Sequence, residues 1–151
     1  MTPRGGLRRR ARGPRSGRIV STPRRLLLDT HVWLWWQADD PRLGVEARGL
    51  ITDAAEVRFS SASAWEIAIK SALGKLKLPR NAAIEPELAR DGFEPLPVTI
   101  AHAESLRELP ALHGDPFDRM LIAQALAEGL AFVTADRALG RYELTVVDAT
   151  V

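Results

Sequence analysis

Apolar and polar positions along the chain fall into short blocks that read alternately as strand and helix. "RLLLD" (25–29) is an apolar run of the length of a short buried strand. "HVWLWWQAD" (31–39) follows as a helix that stops at Asp40-Pro41. "RLGVEARGLITDAA" (42–55) predicts a second helical stretch, weakened by Gly44 and Gly49. "EVRFSS" (56–61) alternates with period two and predicts a strand. "SAWEIAIKSALGK" (63–75) predicts a helix with Ile67, Ala68, Ser71 and Ala72 on one face and Gly74 at its end. A weaker helix is expected over "AAIEPELARDG" (82–92). The prolines of "FEPLPV" (93–98) suit an extended piece at a sheet edge. "IAHAESLREL" (100–109) reads as a helix ended by Pro110. The strongest helix is "DPFDRMLIAQALAEG" (115–129), with Phe117, Leu121, Ile122, Ala125 and Leu126 as its stripe, Pro116 in its first turn and Gly129 at its end. "LAFVTAD" (130–136) and "LTVVDA" (144–149) close the series as strands. Short apolar strands alternating with helices predict an α/β fold with a mainly parallel sheet covered on both faces.

The chain has 151 residues, enough for one domain with a real core. It contains no cysteine, which excludes disulfide staples and thiolate metal sites and permits a reducing compartment; a cytoplasmic location is expected. No apolar run approaches the roughly 18 residues of a membrane span. The net charge of +2 hides an asymmetry. Residues 1–25 hold nine arginines and no acid, and the remainder holds 12 basic against 19 acidic residues. Two units are therefore expected: a basic tail over 1–24, rich in Gly and Pro and predicted to be disordered, and a domain over 25–151. The tail reads either as a phosphate-binding arm or as a non-native extension with the true start near Val20. The second reading is preferred, because the rest of the chain needs nothing from the tail.

In parallel sheets, ligands bind outside the carboxyl ends of the strands. Acids stand at these junctions. Asp29 follows the first strand, Glu66 opens the helix after the second, Asp115 and Asp118 begin the long helix, and Asp136 follows "AFVTA". Taken singly, each is explained as a helix cap, and Ser63-x-x-Glu66 fits a capping box. Capping alone is served as well by Ser, Thr or Asn. Four carboxylates at one edge repel one another unless a cation sits among them, and hard divalent ions take oxygen ligands. Neither a phosphate-cradling glycine loop nor a dinucleotide fingerprint is present.

"LLLDTHVWLWW", "SSASAWEIAIKSALGKL", "LPVTIAHA", "LHGDPFDRMLIAQALAEGLAFVTAD" and "VVDA", in this order and spacing, resemble the PIN-domain family, specifically the VapC ribonuclease toxins of bacterial VapBC toxin–antitoxin pairs. The resemblance runs from about Arg25 to the end of the sequence. It implies a three-layer α/β/α fold, an endoribonuclease dependent on Mg²⁺ or Mn²⁺, and a cognate VapB-like antitoxin. Carried over residue by residue, the four family acids fall on Asp29, Glu66, Asp118 and Asp136. Asp29 and Asp118 are expected to ligate metal directly. Glu66 and Asp136 would position metal-bound waters or a second ion. Asp115 can assist but suits an N-cap better.

Other residues add detail. Lys70, Lys75, Lys77 and Arg80 either line an RNA path or form a solvated helix end, and Arg119 can pair with a carboxylate or contact a phosphate. Trp33, Trp35 and Trp36 cannot share one helix face, so at least one lies off the core stripe, half-buried or at a homodimer or antitoxin contact. His31, placed at a helix start, His102, placed on an exposed helical stretch, and His113 are read as surface or packing residues, although His113 could flank the RNA. The alternative reading is a catalytically silent RNA- or protein-binding module that keeps its carboxylates as caps. An aspartyl-nucleophile phosphatase needs a second Asp two residues after the first, where this chain has His31.

Overall fold

Along β1 (Arg25–Leu28), Leu26 and Leu28 enter one apolar core and Leu27 enters another. A strand with this pattern must be covered on both faces. The computed structural model describes residues 24–78, 82–112 and 114–151. Arg80, His113 and the predicted tail up to residue 23 lie outside the described residues. After β1 come α1 (Thr30–Ala38), α2 (Val45–Asp53), β2 (Glu56–Ser60), α3 (Ser61–Ala72), α4 (Ile84–Asp91), β3 (Glu94–Leu96), α5 (Ile100–Ser105) and α6 (Pro116–Glu128). The chain continues through β4 (Ala131–Thr134), a short 3-10 helix (Arg137–Arg141) and β5 (Val146–Asp148).

The five strands form one parallel sheet in the order β3-β2-β1-β4-β5. The chain steps outward from β1 to β3, then returns to add β4 and β5 on the other side of β1. The order therefore reverses between β1 and β4, with Leu28 in register with Val133. In open parallel sheets, the crevice beyond the carboxyl ends at such a reversal is the ligand site. β3 takes the edge position that its proline suits.

One core collects Val32, Trp33 and Trp36 of α1, Ala47 and Ile51 of α2, and Leu88 of α4 against Leu26, Leu28, Val57 and Phe59. Trp33 packs against Phe59 at 4.8 Å between ring centroids and Trp36 against Phe93 at 5.4 Å, the ring planes tilted by 52° in each pair. The other core joins Leu121, Ile122 and Ala125 of α6 to Leu27, Phe132 and Leu139. The result is the three-layer α/β/α arrangement. Trp35 is the tryptophan left off the core stripe, half-buried with the Arg42 guanidinium 5.2 Å from its ring centroid. Among the described residues, no helix is long and apolar enough to cross a membrane.

Several local expectations shift. α3 begins two residues earlier than its apolar pattern indicates and buries Ala62, Ser63, Glu66 and Ile67, leaving Ala68 and Ala72 exposed. On α6 the buried face runs through Leu121–Ala125, and Leu126 is 41% exposed. α5 ends at Ser105, well before Pro110. His102 is 2% exposed rather than on a surface. Its Nδ1 accepts the Thr99 N–H, so Nε2 carries the ring hydrogen and donates to Glu128 at 2.8 Å.

Candidate active site

Asp29 is the first residue beyond β1 and the N-cap of α1. Its Oδ1 accepts the Thr30 N–H at 2.7 Å, and its Oδ2 accepts the Thr134 hydroxyl at 2.7 Å. The Asp29 N–H donates to the Val133 carbonyl, extending the β1–β4 pairing one step past the strand. The carboxylate is thus fixed at the reversal point of the sheet. Burial raises its pKa from 3.8 to about 6, and the charge of Asp118 adds to that rise, while the bonds from Thr134 and Thr30 oppose it.

Glu66 lies in the second turn of α3 and not in its first, because the N-cap is Ser60. Ser60 keeps extended backbone at the end of β2, and its Oγ accepts the Ala62 N–H at 3.0 Å. The expected capping box at Ser63 does not form. The Ser63 Oγ instead accepts the Thr30 hydroxyl at 2.8 Å, which locks the start of α1 against α3. Glu66 is 4% exposed and pairs with Lys70 Nζ at 2.8 Å, one turn further along α3. The bond to Glu66, then the nearby charges of Asp115 and Asp118, raise the pKa of Lys70.

Asp115 and Asp118 do different work at the start of α6. Asp115 is the N-cap, its Oδ1 accepting the N–H groups of Phe117 and Asp118 at 2.8 and 3.0 Å. Asp118 lies close enough to Asp29 and to Lys70 to shift both. The neighbouring Arg119 turns to the carbonyls of Pro110, Leu109 and Leu106, bracing the connection between α5 and α6. Asp136 caps the 3-10 helix through the Ala138 N–H at 2.9 Å, and its own N–H donates to the Thr134 hydroxyl at 3.1 Å. Lys75 and Lys77 are exposed beyond the end of α3.

The fold therefore brings Asp29, Glu66, Asp118 and Asp136 to one end of the sheet, linked through Thr134 on one side and Lys70 on the other. Thr134, the pairing of Lys70 with Glu66 and the exposed Trp65 are features that the sequence patterns did not single out; from sequence Lys70 is only a residue of an RNA path or a solvated helix end. Thr134 carries a signal in retrospect: it is a hydroxyl at a strand's carboxyl end, two residues before an acid. The donor set suits a hard divalent cation, since every side chain offers oxygen and a cation would relieve the burial and repulsion at Asp29. Among the described residues, no three acidic or histidine side chains converge as a ready-made metal cage.

A family model described as PIN domain matches residues 26–144. Ribonuclease VapC22 of Mycobacterium tuberculosis is 30% identical over 115 residues, covering 76% of this chain and 88% of that protein. Among solved structures, VapBC2 from Rickettsia felis bound to a DNA fragment from its promoter superposes with a TM-score of 0.64 at 17% identity, over 82% of this chain and 97% of the other. DNA-bound VapBC from Salmonella typhimurium gives a TM-score of 0.58 at 21% identity, over 83% and 98% of the two chains. With its parallel sheet, its acids at the strand order's reversal and these matches, the chain belongs to the PIN domain family, and within it to the VapC type.

Proposed function

We propose that the chain is a Mg²⁺- or Mn²⁺-dependent endoribonuclease and the toxin of a VapBC-type pair, acting in the cytoplasm on RNA and restrained by a VapB-like antitoxin. The observation that carries this reading is the buried Asp29 carboxylate, held by Thr30 and Thr134 at the point where the strand order reverses, with Asp118 beside it. The family match starts at residue 26, which supports a single catalytic domain over 25–151 with the arginine-rich segment outside it.

Asp29 and Asp118 would hold the ion. When bound, such an ion lowers the pKa of a coordinated water and offsets charge on the attacked phosphate. The chain's own contribution is placement. Thr134 and the Thr30 N–H fix both oxygens of Asp29, so the carboxylate needs no reorganisation during reaction. The Ser63–Thr30 bond keeps α3 and Glu66 at a constant distance from Asp29. Asp136 approaches from the β4 side through Thr134. Lys70 and Lys75 supply positive charge for the RNA backbone beside an acidic site. Arg119, engaged on carbonyls, contributes by shaping the loop before α6. An apolar cleft of about 480 Å³ next to the acids, where Trp65 is 65% exposed and meets Phe117 edge-on at 5.3 Å, suits a protein contact, with a second copy of the chain or with the antitoxin.

The test is direct. The purified chain incubated with single-stranded RNA and Mn²⁺ should cut internally, stop on EDTA, and lose activity in Asp29→Asn. Its expression should arrest growth, with relief by a co-expressed cognate VapB-like antitoxin. RNA left intact at every divalent ion tried, with the fold confirmed, leaves only a silent binding module.

A further inference from the structure

We propose that the cleft along the outer face of α1 is a nucleobase subsite, where the Arg42 guanidinium, held over Trp35, stacks on an unpaired base of the RNA strand next to the scissile phosphate. The proposal rests on the nuclease reading above and deepens it. α1 turns Trp33 and Trp36 into the core, which leaves His31, Trp35 and Ala38 on its other side at helical spacing. Together with Leu76, Lys77 and Leu78 they line a cleft of about 410 Å³. The cleft starts at the active site, since His31 follows closely on Asp29 and is near enough to act on its carboxylate charge. From His31 to Ala38 is roughly 10 Å along the helix axis, so a strand crossing Asp29 can lay its neighbouring nucleotide in the cleft.

Arg42 makes the cleft suit a base. Its guanidinium lies over the Trp35 ring at 5.2 Å from the centroid, and its Nε and Nη2 donate to Asp40 Oδ2 at 3.1 and 2.6 Å. Trp35 is itself seated on the core, as are Leu34, Leu76 and Leu78. The guanidinium plane is therefore fixed in advance, while the Arg42 side chain stays 68% exposed. A solvated Arg–Asp pair alone would not set an aromatic ring beneath the cation and a second cation, Lys77, across an apolar floor. Unpaired RNA bases stack on aromatic rings and guanidinium planes, with cations along the backbone. Arg42 neutralises Asp40, so Lys77 leaves the cleft with a net positive charge that complements phosphate. The Trp65 cleft is the contrast: none of its lining residues is charged, which suits a protein contact rather than a nucleic acid.

The experiment reads binding apart from cleavage, in an Asp29→Asn background so that the strand stays intact. The probes are a short oligoadenylate and an abasic strand of the same length and charge. Trp35→Leu removes the ring, and Arg42→Lys keeps the charge and loses the plane. Each should weaken oligoadenylate binding roughly five- to a hundredfold with its salt dependence unchanged. The abasic strand should bind these two variants and their parent alike. Arg42→Lys changes an exposed side chain and guards against a Trp35 variant that fails to fold. Lys77→Gln should weaken both strands and lower the salt slope by about 0.7. Unchanged oligoadenylate affinity in a folded Arg42→Lys, an equal loss for both strands, or a parent chain that binds no oligoadenylate overturns the proposal. So does a Trp35→Leu chain that keeps its RNA affinity and releases a co-expressed VapB-like antitoxin, which would give the cleft to the partner protein. A chain that never cuts RNA yet shows the base-dependent losses counts against the nuclease reading alone.

Discussion

The Thr134 hydroxyl donates to Asp29 Oδ2 at 2.7 Å, joining the end of β4 to the end of β1 across 105 positions of sequence. The bond stabilises the ionised form of a carboxylate whose burial favours the neutral one. Thr134→Val keeps the shape and removes the donor. A hydrogen bond to a charged group is worth roughly 1.5–3 kcal/mol, so the pKa of Asp29 should rise by about one unit or more. In the metal-free chain Asp29 titrates near 6 and protons compete with Mn²⁺ for it, so the pH below which Mn²⁺ affinity falls should move up by that amount, while Thr134→Ser leaves it in place. An affinity profile that does not move would separate Mn²⁺ binding from the ionisation of Asp29.

Asp29 also sets how metal-free stability depends on pH. Its folded pKa, about 6, lies above its ordinary value of 3.8. Between those values the folded state binds more protons than the unfolded one, so stability falls as pH rises through this window. Above pH 6 the loss is complete and amounts to roughly 3 kcal/mol; below pH 4 it vanishes. Asn carries no charge, can still accept the Thr30 N–H, and meets Thr134 with the bond reversed, its amide donating to the hydroxyl oxygen. Asp29→Asn should therefore melt above the wild type at pH 7.5 in EDTA and converge with it near pH 4. Parallel melting curves across this range would mean that the buried charge is not strained.

Ser60 gives a prediction about structure alone. Its hydroxyl accepts the Ala62 N–H and donates to Gln124 Oε1 at 2.5 Å, with all three groups buried. Ser60→Ala loses a cap and orphans a buried amide oxygen, about 1 kcal/mol for the first and 1–3 kcal/mol for the second. Chemical denaturation should show a loss of roughly 2–4 kcal/mol, with the melting shift on adding Mn²⁺ unchanged. A reduced Mn²⁺ response would place Ser60 in the site rather than beneath it.

The contrast between Ser60 and Ser63 shows where the sequence is legible. The apolar run of "RLLLD", the edge proline of β3 and the Asp-Pro start of α6 are local signals, and the structure follows them. Two serines three residues apart can each begin a helix. Which one does depends on Thr30, which takes the Ser63 hydroxyl from 33 residues away. His102 is misread for the same reason: its short helix looks polar, and although Thr99 satisfies Nδ1 locally, the partner of Nε2 is Glu128 of α6. The acids were legible because they recur at strand ends. Their partners were not, since Thr134 looks like any strand threonine until the sheet brings it to Asp29, and nothing local tells that Lys70 is held by a buried Glu66.

Asp115 and Asp118 lie three residues apart on α6, and substituting each should separate capping from metal binding. Asp115 holds two N–H groups of the first turn. Asp115→Ala should cost about 1 kcal/mol, a fall of roughly 3–5 °C in Tm, with or without metal. Asp118 instead adds its charge to the strain on Asp29. Asp118→Asn relieves that repulsion, so its metal-free Tm should rise. It also removes one of the two carboxylates proposed to hold the ion. The wild-type chain should gain roughly 2–3 kcal/mol when Mn²⁺ is present at about a hundredfold excess over its dissociation constant, and Asp118→Asn should gain almost none. Sodium chloride at equal ionic strength should reproduce neither effect. If Asp118→Asn melts lower without metal and keeps the full Mn²⁺ shift, Asp118 belongs with Asp115 as a helix-terminus acid, and the ion must be held elsewhere.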